Sequence, residues 1–355
     1  MAERLFTVTL CTRMDCASLA SEMSKHSSRD LPACVVLSLD FELRWGVHDV
    51  CGLDIDAYRG NLEAEREVIP ELLQLFAAHG LRATWAAVGA IGCNSWDDYF
   101  SRAPQAPKYA NSAFAVKPQY ADLDPKGQLH FAPDLMRAIL DTPGQALGTH
   151  TFSHLFLRER GVTREDAAAD LAAARNLHRE RFGSFPLSLV FPRNQPAFID
   201  VVRASSIKVW RGNAAPWYYD CEDSEHSGPL PRALKLIDAF NPLTRRAAPL
   251  FEDMNRASLF LRLNLPTAVW TLHLHRIRKQ LDSLRAGEVF HLWFHPHNLG
   301  MDTRRRLARV EQIASMIAER ASAGELRSCS MEDLIPAIRL RSEAPQHGAN
   351  AMSTI

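Results

Sequence analysis

From Ala33 onward the chain alternates short apolar runs of strand length with longer segments whose apolar residues recur at helical spacing. The runs are Cys34–Leu39, Arg82–Val88, Gln145–Thr149, Leu187–Phe191, Ile207–Trp210, Val289–Phe294 and Leu326–Cys329. They are apolar throughout rather than alternating, as expected of strands covered on both faces. Helical periodicity fills the gaps. Asn61 to Ala78 stops near Gly80, a plausible C-terminal cap, and Thr163 is placed to cap Arg164 to Phe182, with Gly183 after it. Thr267 to Arg285 ends before Gly287, and Asp302 is placed to cap Thr303 to Ala321. Seven strand–helix alternations predict a parallel βα architecture.

Two stretches break the rhythm. Residues 93–128 and 214–266 are long and rich in Pro, Asn, Asp and aromatics, and are expected as insertions over one face of the fold. Residues 1–32 read as an irregular N-terminal extension, 33–340 as the domain and 341–355 as a flexible tail. A length of 355 residues with 46% apolar content allows a sizeable core. Lysine plus arginine equals aspartate plus glutamate at 41 each, so there is no electrostatic case for a nucleic-acid partner. No apolar run approaches a membrane span, and Glu3 before Leu5–Cys11 makes a poor signal peptide. Seven scattered cysteines without CxxC spacing suggest free thiols and a cytoplasmic protein.

The chemistry collects where strands are expected to end, which is where α/β folds place reactive groups. Asp40 and Glu42 lie two apart and share a face in extended backbone, where they repel unless a proton or cation sits between them. A solvated pair with Arg44 as partner is the plain alternative. His150 and His154 lie four apart, but with 14 histidines roughly half such a pair is expected by chance. His291 and His295 are a second pair, in which His291 sits inside a strand and reads as a packed core residue. His295 falls at the strand end, able to reach the mouth of a site, and His297 fits a loop residue. After Phe191-Pro192, Arg193 is expected to lie beside the carboxylates and hold an aspartate ionised, unless it is a surface residue. Trp210-Arg211 ends the next run, and Trp210 fits a core residue at least as well as a site residue.

The order of these segments resembles the polysaccharide deacetylases of the carbohydrate esterase class, over about Ala33 to Leu340. The resemblance implies a distorted (β/α)7-type barrel with long insertions on the site face. It implies Asp40 as catalytic base, and Glu42 as metal ligand in an Asp-x-Glu variant of the usual adjacent acids. His150 and His154 match the family's His-x3-His ligands, and Arg193 its base-orienting arginine, although here Pro192 precedes the arginine. His295 matches the general acid, and Leu81–Gly89 resembles the family's second strand. Trp45, Asn194, Trp210, Arg211 and His297 are then expected around the substrate. Glu42, His150 and His154 would hold one divalent ion, zinc first.

The implied activity is metal-dependent removal of an N-acetyl group from a carbohydrate, in cytoplasmic assembly of surface polysaccharide or O-antigen. A same-fold hydrolase of a non-sugar amide or imide is the alternative, and a catalytically idle carbohydrate-binding protein is the rival from another class.

Overall fold

Strand β1 (Ala33–Phe41) is buried at every position, and its two faces meet different surroundings. Val35, Leu37, Leu39 and Phe41 pack outward against helices, while Cys34 and Val36 face a smaller inner cluster. Continuing on that inner face are Ser38 and Asp40. The interior therefore turns from apolar to polar along a single strand, toward its C-terminal end.

In the computed structural model the described residues are 32–343, apart from 215, 220–227, 242–244, 251–253 and 257. The expected extension up to residue 31 and the tail from 344 lie outside them, as do Cys11, Cys16 and Cys221. Strands β2 (Ala83–Ala87), β3 (Gln145–Thr149), β4 (Ser188–Val190) and β5 (Val209–Arg211) follow β1, each parallel to the one before. Three short strands come next: β6 (Ala248–Pro249), β7 (Met254–Asn255) and β8 (Ser258–Phe260). Strand β9 (Glu288–Phe294) lies parallel along the other edge of β1. Strand β10 (Leu326–Cys329) pairs with Ala33 to Val36, at the start of β1.

Curling of the sheet follows from these pairings. β7 pairs with β5 and β8 with β9, so these two short strands join the two ends of the strand order. The result is an α/β fold with a curled, mostly parallel sheet, in agreement with the expected barrel. The seven expected runs all form strands, but β7 and β8 are not among them, and β10 flanks only the start of β1.

Five of the longer helices pack around the sheet. They are α1 (Arg59–Ala78), α2 (Pro133–Asp141), α3 (Arg164–Phe182), α4 (Thr267–Ser283) and α5 (Thr303–Ser322). Helix α3 has the expected ends: Thr163 Oγ1 accepts from the Asp166 amide, Asp166 accepts in return, and Gly183 takes φ 70°. Asp302 does not cap α5 as expected; its side chain pairs with Arg305 at 2.8 Å instead. The inner cluster gathers Ala86, Val190, Val209 and Val289, and Met331, Leu334, Ile335 and Ala337 pack onto it after β10. Its apolar floor leaves the polar chemistry to the other end. Among the described residues no helix is long and apolar enough to cross a membrane.

Candidate active site

Five side chains from three strand ends meet at the polar end of the barrel. Glu42 Oε1 lies 2.9 Å from His150 Nε2, 3.3 Å from His154 Nε2 and 3.6 Å from His295 Nε2. His295 Nε2 is 3.8 Å from Asp40 Oδ2. Asp40, Glu42, His150 and His154 are buried, and the His295 side chain keeps 21% exposure, so it is the member of the cluster that faces the opening.

Local backbone explains each placement. Asp40 ends the inner face of β1, and Glu42 just beyond it leads into a tight 3-10 turn over Leu43–Gly46. A Cβ at Gly46 would stand 1.9 Å from Glu42 Oε2, so only glycine there leaves the carboxylate its position. The segment after β3 turns through left-handed Thr151 (φ 62°) and His154 (φ 57°), which is how residues four apart bring both rings to one carboxylate. Asp170 on α3 fastens that turn. It accepts from the Phe152 amide at 2.6 Å, the Ser153 amide at 3.1 Å and the Ser153 hydroxyl at 2.5 Å. Thr151 Oγ1 accepts from the Leu155 amide at 2.8 Å.

Arg211, expected near substrate, instead clamps Asp40. Its two terminal nitrogens donate to the two carboxylate oxygens at 2.7 Å each, and Nη1 also donates to Ser38 Oγ at 3.1 Å. Asn194 Oδ1 accepts from Arg211 Nη2 at 2.9 Å, and the Trp293 ring lies under the guanidinium at 4.0 Å. Arg193 does not fill the expected role beside Asp40. Both Arg193 and Asn194 take left-handed φ (55° and 52°), and Arg193 turns away to pair with Asp49 and stack on Phe114 and Phe156. The cation paired with Asp40 thus comes from the end of β5, one strand later than expected.

Other expected residues separate clearly. Trp45 is not in the opening: it is 1% exposed, donates to the His130 carbonyl at 2.8 Å, and packs on Trp96 and Tyr99. Trp210 is also core, 1% exposed among Leu189, Phe191 and Ile207. Both belong to apolar clusters of buried residues. His297 is buried behind His295, with ring centroids 4.8 Å apart, and its Nδ1 lies 3.9 Å from the buried Glu65. Arg44 makes no ion pair with either acid; it donates to the carbonyls of Gly52, Asp54 and Ala57. His291 is a core histidine as expected, 2.8 Å from Ser38 Oγ.

The charges are arranged in opposition. Burial pushes the Asp40 carboxyl up, but the charge and hydrogen bonds of Arg211 outweigh it and hold Asp40 below the usual carboxylate range. Burial likewise opposes ionisation of Glu42, which His295, His150 and His154 overcome, leaving it well below its ordinary value. Burial disfavours the His295 cation, yet Glu42 and Asp40 raise its pKa above the ordinary value. His154 is pushed down to about 4 by burial.

The donor set fits a divalent cation. His150 Nδ1 lies 2.8 Å from the Val190 carbonyl, a pure acceptor, so Nδ1 carries the hydrogen. In the neutral ring, Nε2 then presents a lone pair to Glu42 Oε1, and two acceptors so close need a proton or cation between them. Glu42, His150 and His154 offer atoms that all lie within 4.8 Å of one another. Two histidines and a carboxylate suit catalytic zinc and related ions. Asp40, Glu42 and His295 form a second such group, but both oxygens of Asp40 are already engaged by Arg211.

No family model matches the sequence, and no curated protein does either. Solved structures do. A protein from Mycobacterium smegmatis described as a candidate polysaccharide deacetylase overlays with a TM-score of 0.54 at 12% identity, over 92% of this chain and 98% of that one. The peptidoglycan deacetylase of Bacillus subtilis gives 0.41 at 10% identity, over 88% of this chain and 94% of its own. A family 4 carbohydrate esterase from Streptomyces lividans gives 0.38 at 13%, over 84% and 92%. At such identities the likeness is one of fold, and the fold is that of the polysaccharide deacetylase structure from Mycobacterium smegmatis.

Proposed function

We propose that the protein is a metal-dependent hydrolase that removes an N-acetyl group from a carbohydrate. The observation that carries this reading is the meeting of a clamped aspartate, a carboxylate with two histidines, and a partly exposed histidine at one barrel end. Binding alone would need neither an acid nor a base beside the ligand set.

A divalent ion held by Glu42, His150 and His154, zinc by the chemistry of these donors, would supply Lewis acidity toward the amide carbonyl and an activated water near neutral pH. Asp40, kept ionised and oriented by Arg211, takes the proton from the attacking water. His295 gives a proton to the amide nitrogen as its bond to the acyl carbon breaks, so the amine and acetate leave with one water consumed. Each of these proton transfers is worth on the order of 10²–10⁴ in rate. The buried Glu42 and histidines lie behind His295, so substrate approaches from its side.

We assign the enzyme to assembly of surface polysaccharide or O-antigen in the cytoplasm, a compartment that suits the free thiols at Cys34, Cys51, Cys93 and Cys329. Acetate release from N-acetylated sugars, before and after chelation and metal return, tests the activity. Turnover that disappears with the metal and returns with it is expected. Tight sugar binding with no acetate from any N-acetyl sugar would make this a binding protein, and release from cyclic amides alone would move it to non-sugar substrates.

A further inference from the structure

A cleft of about 440 Å³ opens beside the catalytic cluster, and the charge of its described lining residues is one-sided. Arg193, Arg232, Lys235 and Arg262 line it, and no aspartate or glutamate does among the described residues. The whole chain has a formal charge of zero, so this local surplus of cations is not a reflection of composition. Arg193 is matched by Asp49 and Glu159, so Arg262 and Arg232 carry the argument.

Arg262 is the informative one. It is half-buried, its Nε makes no hydrogen bond, and no carboxylate pairs with it among the described residues. A half-buried guanidinium without an anion is costly unless a ligand supplies one. The position of the cleft ties it to the chemistry. Trp293 and Phe260, which line it, stand 5.6 Å and 5.9 Å from the His295 ring, and Arg262 lies 5.7 Å from the Phe260 ring. Aromatic faces next to a polar rim are suited to a sugar ring, and about 440 Å³ lies within the range of small-ligand sites.

We propose that the substrate is an anionic carbohydrate, whose phosphate or carboxylate is held by Arg262 with Arg232 while its N-acetyl group reaches Asp40 and His295. This rests on the deacetylase reading for the location of the reacting group, but anion recognition can be measured without turnover. Guanidinium groups meet both oxyanions through paired hydrogen bonds, so the geometry names the shared chemistry of the two.

The test compares binding of N-acetylglucosamine, its 1-phosphate and its uronic acid to the full-length protein by calorimetry. Either anionic sugar should bind about tenfold tighter than the neutral one, as one charge-assisted hydrogen bond implies, with the advantage shrinking as salt rises. Whichever anion wins identifies the source. Arg262→Gln should remove most of the advantage and Arg262→Lys keep part of it. Arg232 sits at the exposed rim, so Arg232→Gln tests the same point without threatening the fold, with a smaller loss of about threefold. Equal affinities for all three sugars, or an anion preference untouched in both glutamine variants, would overturn the inference. Anion preference without acetate release would sink the hydrolase and leave this standing. Acetate release from neutral and anionic sugars alike, with equal affinities, would do the reverse.

Discussion

Asp40 shows how a residue's role depends on which cation reaches it. The acids and histidines were legible because each ends an apolar run, and a strand end is a definite place. The arginine was not, because two candidates, Arg193 and Arg211, end adjacent strands. The choice between them is made by left-handed backbone at Arg193 and Asn194, which no spacing rule reveals. The two arginines now predict different outcomes. Arg211→Lys replaces a two-pronged clamp by a point charge, and should lower turnover by about 10² with metal content unchanged. Arg193→Ala leaves the Asp40–Arg211 contacts in place and should cost well under that. Steady-state rates with metal analysis decide it, and equal losses would return Arg193 to the base.

At the scale of elements, the site depends on a loop and a helix that meet. Thr163 and Gly183 were readable as the ends of α3, since capping is local chemistry. Asp170 was not readable, because its partners, Phe152 and Ser153, lie 18 and 17 residues away in sequence. It holds the turn that carries His150 and His154, and burial pushes its carboxyl up to about 6, against hydrogen bonds from Ser153 and Phe152 that pull it down. The sign follows from linkage. Between the ordinary value of 3.8 and about 6, the unfolded chain has released the proton and the folded chain has not. This group's contribution to stability is thus full at low pH, falls as pH rises through that window, and is level above it. Urea melts across the window should show the slope in the native protein and lose it in Asp170→Asn. That variant should also cost about 1–3 kcal/mol through its unmatched amide group. An unchanged slope would mean that another group titrates there.

On the scale of the whole molecule, the sequence carried the rhythm of the barrel but not its seam. The closing strands β7 and β8 have only two and three residues, too short for any periodicity to register, inside a stretch otherwise read as an insertion. The seam brings β5 round to β9, and with it Arg211 to Asp40 and Trp293 to Arg211. A cation at Glu42, His150 and His154 would tie β1 to the loop after β3, so it should stabilise the barrel as well as serve the reaction. Binding to the folded state alone at a hundred times Kd adds about 2.7 kcal/mol, enough to raise the melting temperature by several degrees. Chelation should therefore lower the melting temperature, and added zinc restore it. His150→Ala and His154→Ala should lose both the bound metal and the upward shift. His295→Ala should keep both while losing turnover by about 10². Asp40→Asn should melt lower throughout, because Arg211 is then buried without its anion, yet still respond to metal. If Asp40→Asn alone abolished the shift, Asp40 would be the ligand and the roles of the two carboxylates would be exchanged.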